Sequence, residues 1–399
     1  MPTSGIPAEV DWVAAAEAIQ ADTIGLRRAL HREPELGLDL PKTKLRLLDA
    51  LAPLGLRIRE SERTSGIMAL LDTGRPGPTV LLRGDMDALP MTEATELPFR
   101  SAQPGRMHAC GHDGHSAMVL GAARALTAAR DRLKGRILFM FQPGEEGWHG
   151  ARIMIEEGLL DDPRPDLAYA LHVWPTLARG KVMGRAGTLL AAHDTFEIEI
   201  IGRGGHGSMP HDALDPIPIA CEAVLALQSA VTRRFSVADP AVVSICSIAG
   251  GTTDNVIPGK VVLKGTLRAL SLKTRDKARA VVEQVFGGVA AAHGAEAAIR
   301  LKPGFPPTIC APEAVDRARA VTAGLFGEEN WVDMAFPTMG AEDFSYVLQK
   351  VSGAMLLLGI GSEGADQPLH SDRFILDESM LANGVALLCG LAADACGAD

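Results

Sequence analysis

RILFMFQPGEEGWHGARIMIEE, running from Arg136 to Glu157, passes from an apolar run (Arg136–Phe141) through a turn at Pro143 and Gly144 into helical periodicity (His149–Glu157). A short apolar run followed at once by an amphipathic helix is the repeating unit of an α/β layer. The same reading holds on either side of it. Apolar runs at Ile67–Leu71, Thr79–Leu82 and Asp166–Leu171 predict further strands, and helical patterns cover Glu9–Leu30, Pro41–Leu54 and Ser116–Ala129. Pro41 suits a first helical position and Gly55 a helix end. From about residue 188 the pattern changes. Period-2 strands are expected at Thr195–Ile201, Ala241–Ile248 and Val261–Leu267, helices at Pro216–Arg234 and Thr274–His293, and a strand at Glu296–Leu301. After Pro303-Gly304-Phe305-Pro306-Pro307 the α/β alternation returns, with helices at Pro312–Phe326, Ala341–Val351 and Asp377–Ala395 and a strand at Ala354–Leu358. The expected architecture is a discontinuous α/β domain with a mostly parallel sheet (1–187 and 304–399), interrupted by an α+β domain (188–303).

Composition narrows the function classes. At 399 residues the chain is long enough for two or three domains with sizeable cores. Its 39 Lys+Arg against 49 Asp+Glu give a net charge of −10, with no dense basic run, so nothing favours a phosphate backbone as partner. No apolar stretch of bilayer length stands out, and the first residues lack the basic start of a secretory signal, so a soluble chain is expected. Six cysteines without a Cys-x-x-Cys pair fit reduced thiols in a cytoplasm.

Histidine, cysteine and acidic residues gather in five segments: Arg83–Asp87, Met107–Asp113, Gln142–Glu146, Leu171–Pro175 and Leu369–Ser371. Three of them sit where apolar strands end, and the binding crevice of an open α/β sheet lies beyond the carboxyl ends of its strands. Cys110-Gly111-His112 offers a thiolate and an imidazole two residues apart, with a glycine that permits both to turn toward one point. Alone it is weak evidence, and a buried cysteine beside a solvated histidine is the better reading. Glu145-Glu146 alone reads first as a solvated pair. Taken with His172 and His370, one carboxylate can ligate a metal while its neighbour accepts a proton from water.

The ordered motifs RGDMDALPM (Arg83–Met91), MHACGHDGH (Met107–His115), FQPGEEG (Phe141–Gly147), LHVWP (Leu171–Pro175), GRGGHGSMPH (Gly202–His211), GGTTDNVIP (Gly250–Pro258), GAEDFS (Gly340–Ser345) and LHSDRF (Leu369–Phe374) span nearly the whole chain. In them the sequence resembles the M20 metallopeptidases, specifically the amidohydrolase branch of hippurate hydrolases, N-acyl-amino-acid amidohydrolases and auxin-conjugate hydrolases. The resemblance implies two divalent ions (Zn, Mn, Co or Ni) held by Cys110, His112, Glu146, His172 and His370, with Cys110 bridging. It makes Glu145 the general base and Asp87 a carboxylate that orients a ligand histidine. Many relatives carry His-x-Asp where this chain has Asp85-Met86-Asp87, so a ligand is missing at Asp85 and His112 replaces it. The inserted domain becomes a lid and dimerisation module, with His206 reaching the partner's site to polarise the substrate carbonyl. Asn255, Arg268 and Gly340 match positions that meet substrate, and the Arg268 fork suits a carboxylate. His108, His115, His149, His193, His211 and His293 take the solvated or structural reading.

The expected reaction is hydrolysis of N-acyl-L-amino acids. A dipeptidase or a deacetylase of an N-acyl intermediate would use the same groups, and a ligand-binding relative without turnover would be expected to lack some of them. No Gly-x-Ser-x-Gly elbow supports a serine hydrolase, and no glycine fingerprint at a strand-to-helix turn supports a nucleotide.

Overall fold

The computed structural model describes residues 10–361 and 367–397; Glu9, at the start of the first expected helix, lies outside them. The chain divides into two compact units. One holds the chain up to Leu189, Ile309–Phe336 and the chain from Asp343 onward; the other holds Leu190–Thr308 and Pro337–Glu342. The sequence reading ends the insertion at 303 and leaves 337–342 with the first unit.

The first unit is built on an eight-stranded sheet in the order Arg57–Glu60, Ile67–Asp72, Arg136–Gln142, Thr79–Asp85, Leu167–Ala178, Ser352–Gly361, Val182–Gly184, Trp331–Asp333. The four central strands from Arg136–Gln142 to Ser352–Gly361 run parallel. Arg57–Glu60, Ile67–Asp72 and Val182–Gly184 add antiparallel pairings, so the sheet is mixed. Thr79–Asp85 is buried at every residue and Arg136–Gln142 at every residue after Arg136. Strands covered on both faces read as continuous apolar runs rather than alternating ones, which is why these two are visible in the sequence.

Three helices differ from expectation. Glu9–Leu30 is interrupted at Ile19, whose backbone (φ −108°, ψ 6°) leaves the helical region, giving Trp12–Ala18 and Gln20–Arg32. Ala341–Val351 contracts to Ser345–Leu348, because the Asp343 carboxylate accepts hydrogen bonds from Arg83, Gln142 and the backbone of Ala151 instead of supporting a longer helix. Helix Leu381–Cys396, with the turn before it, is long and apolar enough to cross a bilayer, contrary to the sequence reading. It is a core element instead, largely buried and packed on helix His112–Ala128.

The second unit carries a four-stranded antiparallel sheet, in the order Ala241–Ala249, Lys260–Ala269, Ala192–Ile201, Glu296–Pro303. Phe196, Ile198 and Ile200 alternate with Glu197 and Glu199, so the apolar set enters a core shared with helices Pro216–Arg234 and Leu272–Ala292. The acidic set stays on the other face and pairs with Lys260, Lys264 and Arg300. One carboxylate is fully buried. Asp194 accepts from Arg275, Arg279 and the Gly304 N–H, and although burial opposes its charge these donors pull its pKa down to about 2.

Candidate active site

Cys110 ends a loop and His112 opens the helix His112–Ala128. Gly111 joins them at φ +85°, in the left-handed region that glycine alone enters at little cost, and a Cβ there would stand 2.5 Å from Val173 Cγ2. The turn therefore requires glycine twice over, for its backbone angle and for its closeness to the neighbouring strand. It brings Cys110 Sγ within 3.5 Å of His172 Nε2. His172 lies inside strand Leu167–Ala178, not beyond its end as the sequence reading placed it. Its Nδ1–H donates to the Val173 carbonyl at 2.7 Å, which leaves the Nε2 lone pair facing the thiol.

Two groups of donor atoms meet at Cys110. Cys110, His112 and His172 form the first, and Cys110, Glu146 and His370 the second; within each, the donor atoms lie within 4.8 Å of one another. The first three side chains are buried, Glu146 is partly buried and His370 is exposed. His370 is placed by a left-handed backbone (φ 65°) and by its N–H, which donates to the Ala109 carbonyl at 2.8 Å. Its Nε2 stands 3.4 Å from Glu146 Oε1.

Asp87 works through two groups at once. Its carbonyl oxygen accepts from His112 Nδ1 at 2.8 Å, with its carboxylate 3.5 Å from the same nitrogen, and so turns His112 Nε2 toward the thiol. Its carboxylate accepts from the backbone N–H groups of Glu145 and Glu146, both at 3.0 Å, and fixes the turn that carries both acids. Glu145 is buried, with a carboxylate oxygen within 4.8 Å of the donor atoms of His112 and Glu146.

The donor set fits divalent cations. His112 Nε2 is buried without a hydrogen bond, a costly state for a polar atom unless something binds it. Burial holds His172 well below the ordinary histidine range, so its lone pair is available. Burial opposes the charged form of His112 too, but Asp85 and Cys110 outweigh it and hold that imidazole well above the ordinary range. Hydrogen bonds to Cys110 and Glu146 raise His370 to about 10. Burial raises the Cys110 thiol, so in the metal-free protein protons occupy positions that a cation would take. Thiolate, imidazole and carboxylate donors together select transition metals over calcium or magnesium.

The remaining expected residues lie in the second unit, in two pairs. His206 sits opposite Val256 in a two-stranded ladder, and the Asn255 carbonyl accepts from the Gly207 N–H at 2.8 Å. Both His206 and Asn255 are exposed. His206 Nδ1 accepts from the Ser208 N–H at 3.1 Å, which puts the ring proton on the outward Nε2. Arg268 is partly buried and donates to the Met339 carbonyl at 3.1 Å, with no carboxylate paired to it among the described residues. Exposed Gly340 follows Met339, and its carbonyl accepts from the Ala191 N–H at 2.8 Å.

Sequence reasoning passed over a buried network behind the first donor group. Arg83 spans three partners: Asp85 (2.5 Å), Gln142 (2.8 Å) and Asp343 (3.2 Å). The Asp85 carboxylate is held on both oxygens, Oδ2 by Arg83 and Oδ1 by His115. His108 and His115, expected to be solvated or merely structural, are both buried, and burial pushes His108 down to about 3. The available signal was Gly84, where a Cβ would lie 2.9 Å from the His115 carbonyl; it marks where helix and strand approach closely.

Residues 81–394 match the model of Peptidase family M20/M25/M40. The chain is 37% identical over 374 residues to IAA-amino acid hydrolase ILR1-like 2 of Arabidopsis thaliana, covering 92% of this chain and 84% of that one. It is 35% identical over 374 residues to hippurate hydrolase of Campylobacter jejuni, covering 94% and 96%. Among solved structures, the Bacillus subtilis YXEP protein, described as a dinuclear metal binding peptidase from the M20 family, superposes with a TM-score of 0.82 at 32% identity, covering 94% of this chain and 98% of that one. With this donor set in place, the chain belongs to peptidase family M20/M25/M40 and is a metal-binding hydrolase of amide bonds.

Proposed function

We propose that the chain hydrolyses N-acyl-L-amino acids, hippurate-like compounds among them, to a carboxylic acid and a free amino acid. The observation that carries the reading is the meeting of two donor groups at Cys110 with Glu145 beside them. Cys110, His112 and His172 would hold one ion and Cys110, Glu146 and His370 a second, drawn from Zn, Mn, Co or Ni, with thiolate and imidazole favouring zinc. Bound there, divalent ions supply Lewis acidity toward an amide carbonyl and toward water. Glu145 takes the proton of the attacking water and delivers it to the leaving amine nitrogen. Trp174 follows His172 on the same face of its strand and meets that ring edge-on at 6.4 Å between centroids, which offers a flat apolar wall to a benzoyl or similar acyl group.

Arg268, a guanidinium that no carboxylate among the described residues neutralises, is the residue we assign to the substrate's α-carboxylate, with Asn255 and Gly340 beside the substrate backbone. Amidating that carboxylate is expected to lower kcat/KM by at least about tenfold, and Arg268→Ala should erase most of the difference. Kinetics on an N-acyl amino acid and its amide with both proteins are the test. Equal rates on acid and amide in the parent would remove carboxylate recognition.

His206 is assigned to the active site of the partner in a homodimer. Its outward Nε2–H is a donor suited to a developing oxyanion. Mixing inactive Glu145→Gln chains with inactive His206→Ala chains is expected to restore partial activity, since some sites then hold both intact groups. Verified heterodimers without recovery would exclude action across the interface.

A further inference from the structure

His115 lies within reach of the first donor group, and its distances to Asp85 and His112 are those of a possible ligand. Its ring nitrogens are committed elsewhere. Nδ1 donates to Asp85 Oδ1 at 2.7 Å, and Nε2 accepts from the Val173 N–H at 3.0 Å. The second bond fixes the first, because an Nε2 that accepts carries no proton and the ring proton must sit on Nδ1. His115 thus holds the Val173 N–H, and the carbonyl of that same residue is bonded to the ligand. The Val173 carbonyl accepts from His172 Nδ1 at 2.7 Å, and the two imidazoles stand 4.5 Å apart between centroids.

We propose that His115 is a positioning residue that aims His172 at its metal ion through the Val173 backbone. Ligand histidines are commonly oriented by a carboxylate or carbonyl that accepts from the distal ring nitrogen. Here the acceptor is a main-chain carbonyl at a strand position, and that residue's own N–H must be satisfied away from water. His115 satisfies it, and Asp85 locks His115 in the only tautomer able to do so. Arg83 holds the other Asp85 oxygen, so the series Arg83, Asp85, His115, Val173, His172 is continuous and buried throughout. Asp85 thus reaches the metal through three residues, His115, Val173 and His172.

The inference rests on the metal-binding reading and is tested apart from catalysis, with cobalt(II) as the probe. Glutamine can place its amide oxygen near the position of Nε2 and keep the acceptor for Val173. Asparagine can place its amide nitrogen near Nδ1 and keep only the donor to Asp85. His115→Gln is expected to bind cobalt within about threefold of the parent, and His115→Asn about 10–100-fold more weakly, the range seen when outer partners of metal ligands are lost. Nitrogen-15 NMR of the metal-free parent is expected to find the His115 proton on Nδ1, a measurement that no folding defect can obscure. A parent protein that takes up no cobalt would overturn the metal reading and this inference with it. A cobalt-binding parent whose two variants weaken alike, or not at all, or a His115 proton on Nε2, would overturn the inference alone.

Discussion

Glu145→Gln is expected to retain its metal and to lose about 10²–10⁴-fold in kcat, because the substitution keeps size and hydrogen bonding while removing the only function asked of the residue, proton transfer. The two acids share one donor group, with His112, and differ in a second. Glu146 shares a donor group with Cys110 and His370, whereas Glu145 does not belong to it. Glu146→Gln should therefore weaken metal binding itself. Metal analysis of dialysed protein beside steady-state kinetics distinguishes the two, and the reverse pattern would exchange their roles. Asp87 holds both backbone N–H groups, so the two acids are fixed as one turn and neither substitution should disturb the other's backbone.

Cys110→Ser should have the larger effect on metal content. Its sulfur is common to both donor groups, so one substitution weakens two sites. We expect a loss of metal affinity of at least about a hundredfold, beyond the ~10–100-fold that changes to outer partners cost, with activity falling in parallel. Treating the parent with a chelator should reproduce the loss of activity reversibly. Full metal occupancy and normal turnover in Cys110→Ser would remove the thiol from the site.

Most of this arrangement was legible in the sequence wherever a local pattern carried it. The central strands announce themselves as apolar runs because helices cover both faces, and Cys110-Gly111-His112 shows its turn because glycine is required there. Helices Pro216–Arg234 and Pro312–Phe326 have the limits that their first-turn prolines suggest. What escaped depends on contacts distant in the chain. Nothing near His115 reveals that Asp85 and Val173 will bracket its ring. Asp87 reads in the sequence as a carboxylate beside a ligand histidine, and its shortest bond to His112 is made by its carbonyl, which every residue possesses and no pattern records. Helix Ala341–Val351 was overdrawn for a similar reason: its apolar spacing is present, but Asp343 is tied to Arg83 and Gln142 far upstream.

The position of Ser352–Gly361 between Leu167–Ala178 and Val182–Gly184 sets an order on the birth of the molecule. Chains emerge from the ribosome N-terminus first, and domains fold largely as units as they appear. Four of the five proposed ligands, Cys110, His112, Glu146 and His172, are made before any of Leu190–Thr308, but the strand that completes the middle of their sheet comes long after it. During that interval Leu167–Ala178 has an open parallel edge, and the Cys110 thiol waits for His370, which is made later still. The inserted unit, by contrast, has nearly all its strands and both its helices in one uninterrupted span and can fold while the first unit is still incomplete. A nascent chain halted shortly after residue 308 would thus hold a nearly complete inserted unit and an unfinished sheet, apolar along its exposed edge, a state in need of a chaperone.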